Sequence, residues 1–181
     1  MNAEQTLQHC LRRCAELNIA PTQFIFAASV ATQTAQLFEQ PFDSAIARVK
    51  RYVISTSKFG IGQIEGSNKT PLGLHRIAEK IGDDCEAGTV FKGRKVIGHL
   101  RDGLPLESIT TRILWLEGLE EGFNRGGNVD THSRYIYIHG FGDQQSLGTP
   151  TSLGCIHLAD ADLIPLYDLL PSGTMVWITA E

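Results

Sequence analysis

The chain has no apolar run long enough to cross a bilayer, no block of like charge and no cysteine framework. Each absence removes a class. Sixteen basic residues against twenty acidic ones give a net charge of -4, so neither nucleic acid nor a membrane surface is expected as a partner. Cys10, Cys14, Cys85 and Cys155 follow no disulfide spacing, which makes reduced thiols the simpler reading. Met1-Asn2-Ala3-Glu4-Gln5 carries no basic segment, and Arg12 and Arg13 stand where a signal peptide would be apolar. With Met1 as the natural start, the expected location is cytoplasmic. The glycine-rich segment around Gly60, Gly62 and Gly66 lacks the G-K-[ST] ending of a phosphate loop, and no cofactor is expected. Repeats are missing too, and 181 residues at 42% hydrophobic suit one domain with one core.

What is present reads as a helix followed mainly by strands. Leu7, Cys10, Leu11, Cys14 and Leu17 recur at helical spacing, predicting a helix that ends before Pro21 and buries both cysteines. A metal reading of that C-x-x-x-C has no second ligand pair nearby. Residues 24–30, 34–38 and 48–56 read as strands, followed by a glycine-rich loop over 57–74 and a strand over 74–78. Residues 81–105 read as loop because Gly88, Gly93 and Gly98 interrupt every run. Strands are predicted over 109–116 and 135–139, and over 174–179 at the end. Between the last two, Asp160 or Asp162 is expected to cap a helix reaching Leu170. Trp115 alternates with Ile113 and is read as core.

The chemistry concentrates between Tyr135 and Leu158. His139, at the end of an apolar strand and followed by Gly140, precedes by sixteen positions Cys155 in Ser152-Leu153-Gly154-Cys155-Ile156-His157. Cysteine attacks as thiolate and needs a proton acceptor, for which His139 is the candidate. Gly154 permits a tight turn and the approach of a carbonyl to main-chain N–H groups, and Ser152 offers a hydroxyl. The bland alternative is a buried structural cysteine beside a core histidine. A zinc hydrolase built from His132, His139, His157, Asp130 and Asp143 is a further alternative, although no H-E-x-x-H is present and that reading leaves Gly154-Cys155 without a purpose.

Ile138-His139-Gly140 followed by Ser152-Leu153-Gly154-Cys155 resembles the signature of the L,D-transpeptidase catalytic domain, the YkuD type. Thr70-Pro71-Leu72-Gly73-Leu74-His75-Arg76-Ile77 is similar to that family's Thr-Pro-x-Gly-x-x-x-Ile element, and the resemblance spans roughly residues 24–178. It implies a mainly β fold with a few helices, a sandwich or barrel, with residues 1–22 as an added N-terminal helix packed on a catalytic domain of residues 23–181. It also implies Cys155 as nucleophile, His139 as general base and then acid, and the Gly154-Cys155 main chain as part of an oxyanion hole. Gly140 would lie beside the carbonyl that orients the imidazole.

The sequence departs from the family where Arg or Asn commonly follows the cysteine by two positions: here it is His157, shorter and only partly charged at neutral pH. On a strand, His157 would share a side with Cys155. The substrate implied is a peptidoglycan stem peptide, cut between its L-centred third residue and a terminal D-amino acid. In the cytoplasm the expected activity is an L,D-carboxypeptidase removing terminal D-Ala from tetrapeptides or muropeptides during wall recycling. Crosslinking or D-amino-acid exchange by an L,D-transpeptidase, or a wall-peptide binding module without turnover, are the alternatives. Arg134 leads the candidate cations for the substrate carboxylate, with Arg125, Lys92 and Arg94 behind it.

Overall fold

Helix α1 (Ala3–Glu16) opens the chain. It is followed by β1 (Phe24–Ser29), β2 (Thr34–Glu39), β3 (Ala47–Ser55), β4 (Gly73–Ile81), β5 (Thr89–Lys92), β6 (Lys95–His99), β7 (Ile109–Gly118), β8 (Tyr137–Phe141) and β9 (Ile156–Leu158). Helix α2 (Asp160–Leu169) and β10 (Met175–Thr179) complete it. The computed structural model describes residues 2–39 and 47–181. Strand order runs β4-β10-β1-β2-β3-β9-β8-β7, and β7 pairs back to β4, so eight strands close into a barrel with the β5-β6 hairpin attached to β7. The pairs β1-β10 and β8-β9 are parallel and the others antiparallel.

Closure depends on β7 changing partner partway along. Ile109 and Thr110 pair with β5, whereas Ile113 to Gly118 pair with β4. Between them Thr111 sits at φ +70, a costly conformation for a β-branched residue. Its hydroxyl accepts from Gly88 N–H at 2.9 Å and donates to Asp160 Oδ1 at 2.6 Å, which holds the kink.

Alternation divides the strands into an inner and an outer face. Phe26, Leu37, Ile54, Leu114, Ile138 and Ile156 belong to one buried interior cluster, to which α2 adds Leu163, Leu166 and Tyr167. On the outside, α1 lays Leu7, Cys10 and Cys14 over Ile25, Ala27, Leu74 and Met175. Strand β1 is therefore covered on both faces, which accounts for its unbroken apolar run. A capping box between Asn2 and Gln5 starts α1.

Four expectations are corrected by the fold. Residues 81–105 are not all loop: Gly93 at φ +54 and Arg94 at φ +64 form a two-residue turn joining β5 to β6, so the glycine makes a hairpin instead of ending one. The strand expected over 135–139 begins two residues later and runs on through Gly140 to Phe141, because Tyr135 takes φ +56. The strand predicted over 74–78 extends to Ile81. Helix α2 starts after Ala159 without a side-chain cap, because the Asp160 carboxylate is taken by Thr111 and Gln144.

Candidate active site

Register sets the site. Strands β8 and β9 lie side by side with His139 opposite His157, while their neighbours Ile138, Ile156 and Leu158 turn into the barrel. A one-residue slip would exchange the two sets. Cys155 immediately precedes β9 and lines the same outer cleft as His139 and His157, a cavity of about 320 Å³.

His139 is almost wholly buried, and its Nδ1 lies 2.7 Å from the carbonyl oxygen of Gly140. A carbonyl only accepts, so Nδ1 carries the proton and Nε2 of the neutral ring keeps its lone pair. Burial pushes the imidazole down to about 4, the Gly140 carbonyl opposing that shift. The ring is an unprotonated base at neutral pH.

The thiol of Cys155 sits between two main-chain groups. Tyr137 N–H donates to Sγ at 3.4 Å and Sγ approaches the Tyr135 carbonyl at 3.5 Å. The left-handed turn at Tyr135 is what brings that carbonyl round. Burial raises the thiol to about 11, against the opposing Tyr137 N–H and the Arg134 charge. At neutral pH the thiol therefore rests protonated. Neither of these contacts involves His139.

The turn carrying Cys155 is braced from within. Gly154 sits at φ +125, and a Cβ there would lie 3.1 Å from Ile136 Cδ1 and 3.3 Å from the Lys69 carbonyl. Ser152 Oγ accepts from Gly154 N–H at 3.1 Å and donates to the Cys155 carbonyl at 2.6 Å. Its one proton is used there, so Ser152 supports the turn and offers no donor to an oxyanion. Gly154 N–H is used likewise, while the Cys155 N–H has no partner among the described residues. Thr70 Oγ1 donates to the Gly154 carbonyl at 3.0 Å and accepts from Ser57 N–H at 3.0 Å. The Thr-Pro element thus clamps the turn that carries Cys155.

His157 lies on the side of Cys155 expected for a strand. It is buried, stacked on Phe141 at 4.1 Å and 4.8 Å from the His139 ring. Burial and the neighbouring His139 push it down to about 2, and its Nδ1 has no hydrogen-bond partner among the described residues.

The candidate cations lie elsewhere. Arg134 donates to the carbonyls of Lys69 at 2.7 Å and Gly62 at 3.3 Å and lines a neighbouring cavity of about 250 Å³ with Tyr135 and Leu153. Arg94 covers the Trp115 and Tyr135 rings and bonds the Tyr137 hydroxyl, and Arg125 faces Glu121 at 3.9 Å. None of them, nor Lys92, lines the Cys155 cleft, whereas Lys58 does. Trp115 is buried, as its alternation suggests, beneath a stacked His132. The donors named for zinc do not gather: Asp130 is taken by Gly126 and Ser133 N–H groups, and no group of three metal-ligating side chains forms among the described residues.

A buried polar network had no signal in the sequence beyond a turn-rich segment. Glu120 takes Leu74 N–H and Arg13, Asn124 reaches the carbonyls of Leu72 and Leu74, and Thr131 bonds Asn124 and His75. It ties the loop after β7, which ends in Arg134 and Tyr135, to β4.

The family model of the L,D-transpeptidase catalytic domain, YkuD, matches residues 30–178. The chain belongs to that family. L,D-transpeptidases act on peptidoglycan peptides. An L,D-transpeptidase from Mycobacterium smegmatis is 17% identical with a TM-score of 0.51, over 87% of this chain and 59% of its own. L,D-transpeptidase 3 from Mycobacterium tuberculosis, solved with a faropenem-derived adduct, is 16% identical with a TM-score of 0.52, over 87% and 60%. A helical cell shape determining protein from Campylobacter jejuni is 16% identical with a TM-score of 0.54, over 89% and 48%. This L,D-transpeptidase domain spans about half to three fifths of those chains, and the likeness shows a shared fold. No curated protein matches the chain. No helix among the described residues is long and apolar enough to cross a membrane.

Proposed function

We propose that the protein is a cysteine-dependent L,D-carboxypeptidase that removes terminal D-Ala from wall tetrapeptides or muropeptides. The observation that carries it is His139 Nε2, left as a base by the bond of Nδ1 to Gly140, in one cleft with Cys155. The Sγ proton passes to Nε2 as sulfur attacks the peptide carbonyl, and the Cys155 N–H meets the oxyanion. Collapse expels the D-amino acid, whose nitrogen takes the proton from His139. Water, deprotonated by the same imidazole, then cleaves the thioester and frees the thiol. Hydrolysis of returned wall peptides suits a cytoplasmic enzyme, and four unpaired cysteines suit a reducing compartment.

The test is mass spectrometry of the protein with a tetrapeptide ending in D-alanine, with and without a D-amino acid acceptor, beside Cys155→Ala. Cysteine-dependent loss of D-alanine in water is expected. Product formed only with the acceptor would make the protein a transpeptidase, and binding without turnover would leave a recognition module.

A further inference from the structure

We infer that the part of the cleft lined by Lys58, Thr151 and His157 binds a free α-carboxylate, that of the residue released on the amine side of the cut bond; this rests on the acyl-transfer reading above. The direction follows from His139. The group that returns a proton to the leaving nitrogen has to face it, so the leaving residue occupies the cleft that His139 lines. Its carboxylate is one carbon away from that nitrogen and needs a cation in the same cleft.

Among the described residues Lys58 is the one lysine or arginine lining that cleft; its ammonium lies 5.4 Å from the centre of the Phe59 ring and forms no ion pair. Its main-chain N–H donates to the Ser152 carbonyl at 3.1 Å, so the lysine is carried by the segment that holds the nucleophile turn. Arg134 and Arg94 are occupied by carbonyls and rings in neighbouring sites. A second observation points to a ligand. His157 and Thr151 both line this cleft, and their Nδ1 and Oγ1 are buried without partners among the described residues, whereas buried polar groups are ordinarily satisfied. Glu107 lines the cleft too and complements the ammonium that the released amino acid acquires.

A site of this kind makes the enzyme require a terminal residue. Turnover of a tetrapeptide ending in D-alanine is compared with the same peptide ending in D-alaninamide, for the natural protein and for Lys58→Met. The natural protein is expected to favour the carboxylate in kcat/KM by about tenfold or more, as a charge-assisted hydrogen bond would. Lys58→Met loses most of that preference, chiefly through KM, and Lys58→Arg keeps part of it. An undiminished preference in Lys58→Met overturns the site. Binding of both peptides to Cys155→Ala, with and without Lys58→Met, reads the same preference without turnover. A carboxylate preference that disappears with Lys58 supports the site even where hydrolysis fails, and binding of neither peptide overturns both readings.

Discussion

On the wall formed by β1, β4 and β10, the outward residues Ile25, Ala27, Leu74 and Met175 lie under helix α1. On the wall formed by β8 and β9, His139 and His157 are left beside an open cleft. Each wall holds thiols. Cys10 and Cys14 are only 0% and 1% exposed and touch Met175 Sδ at 3.9 and 3.3 Å, so they behave as small apolar side chains. Cys155 is half-buried, adjoins a main-chain donor, feels the charge of Arg134 from the neighbouring cavity, and shares its own cavity with an unprotonated imidazole. Both environments oppose a resting thiolate at Cys10 and Cys155; what separates them is a base within the cavity and room for a substrate.

That contrast is sharpest in activity. His139→Ala is expected to lower turnover by about 10³-fold in protein that remains folded, since general-base catalysis supplies that order of acceleration. A loss below tenfold, measured with folded protein, would separate Cys155 from its assigned base. Stability against pH gives the next effect. His75 and His139 are held down to about 4 by burial, against an ordinary 6.5 that the unfolded chain regains. Between those values the unfolded state binds more protons, so stability is full above about pH 6.5 and falls as pH drops towards 4. His75 alone accounts for up to about 3 kcal/mol of this at about 1.4 kcal/mol per unit. Urea unfolding at pH 7 and pH 4.5 should show a smaller difference in His75→Asn. The smallest effect belongs to the covered wall: Cys14→Ala should cost about 1–2 kcal/mol in urea unfolding and leave turnover intact. A change in turnover there would mean that the two walls are coupled.

Much of the barrel was legible where a strand has one regular period. The helix carrying Cys10 and Cys14, the strands at 24–30 and 109–116, and the choice of His139 and Cys155, which line one cleft, all follow from residue pattern and chemistry. The β5-β6 hairpin was hidden because Gly93-Arg94 reads equally as a breaker or as a two-residue turn, and only pairing with β7 decides between them. Lys58 was passed over because a lysine in a glycine-rich loop ordinarily stands in solvent, and nothing nearby in sequence shows which cleft it borders. Glu120, Asn124 and Thr131 looked like turn residues, although their partners at Leu72, Leu74 and His75 lie across the chain.

The amino-acid sequence by itself determined most of the element types, the nucleophile and base candidates and the family, because these depend on local periodicity and on which functional groups the chain carries. Tertiary structure alone decided which imidazole nitrogen is free, that the thiol rests neutral, that Ser152 and Gly154 N–H are consumed within the turn, and that Lys58 borders the cleft while Arg134 does not. Those properties depend on desolvation and on distances of a few ångströms between residues far apart in the chain, and these are set only when the barrel closes.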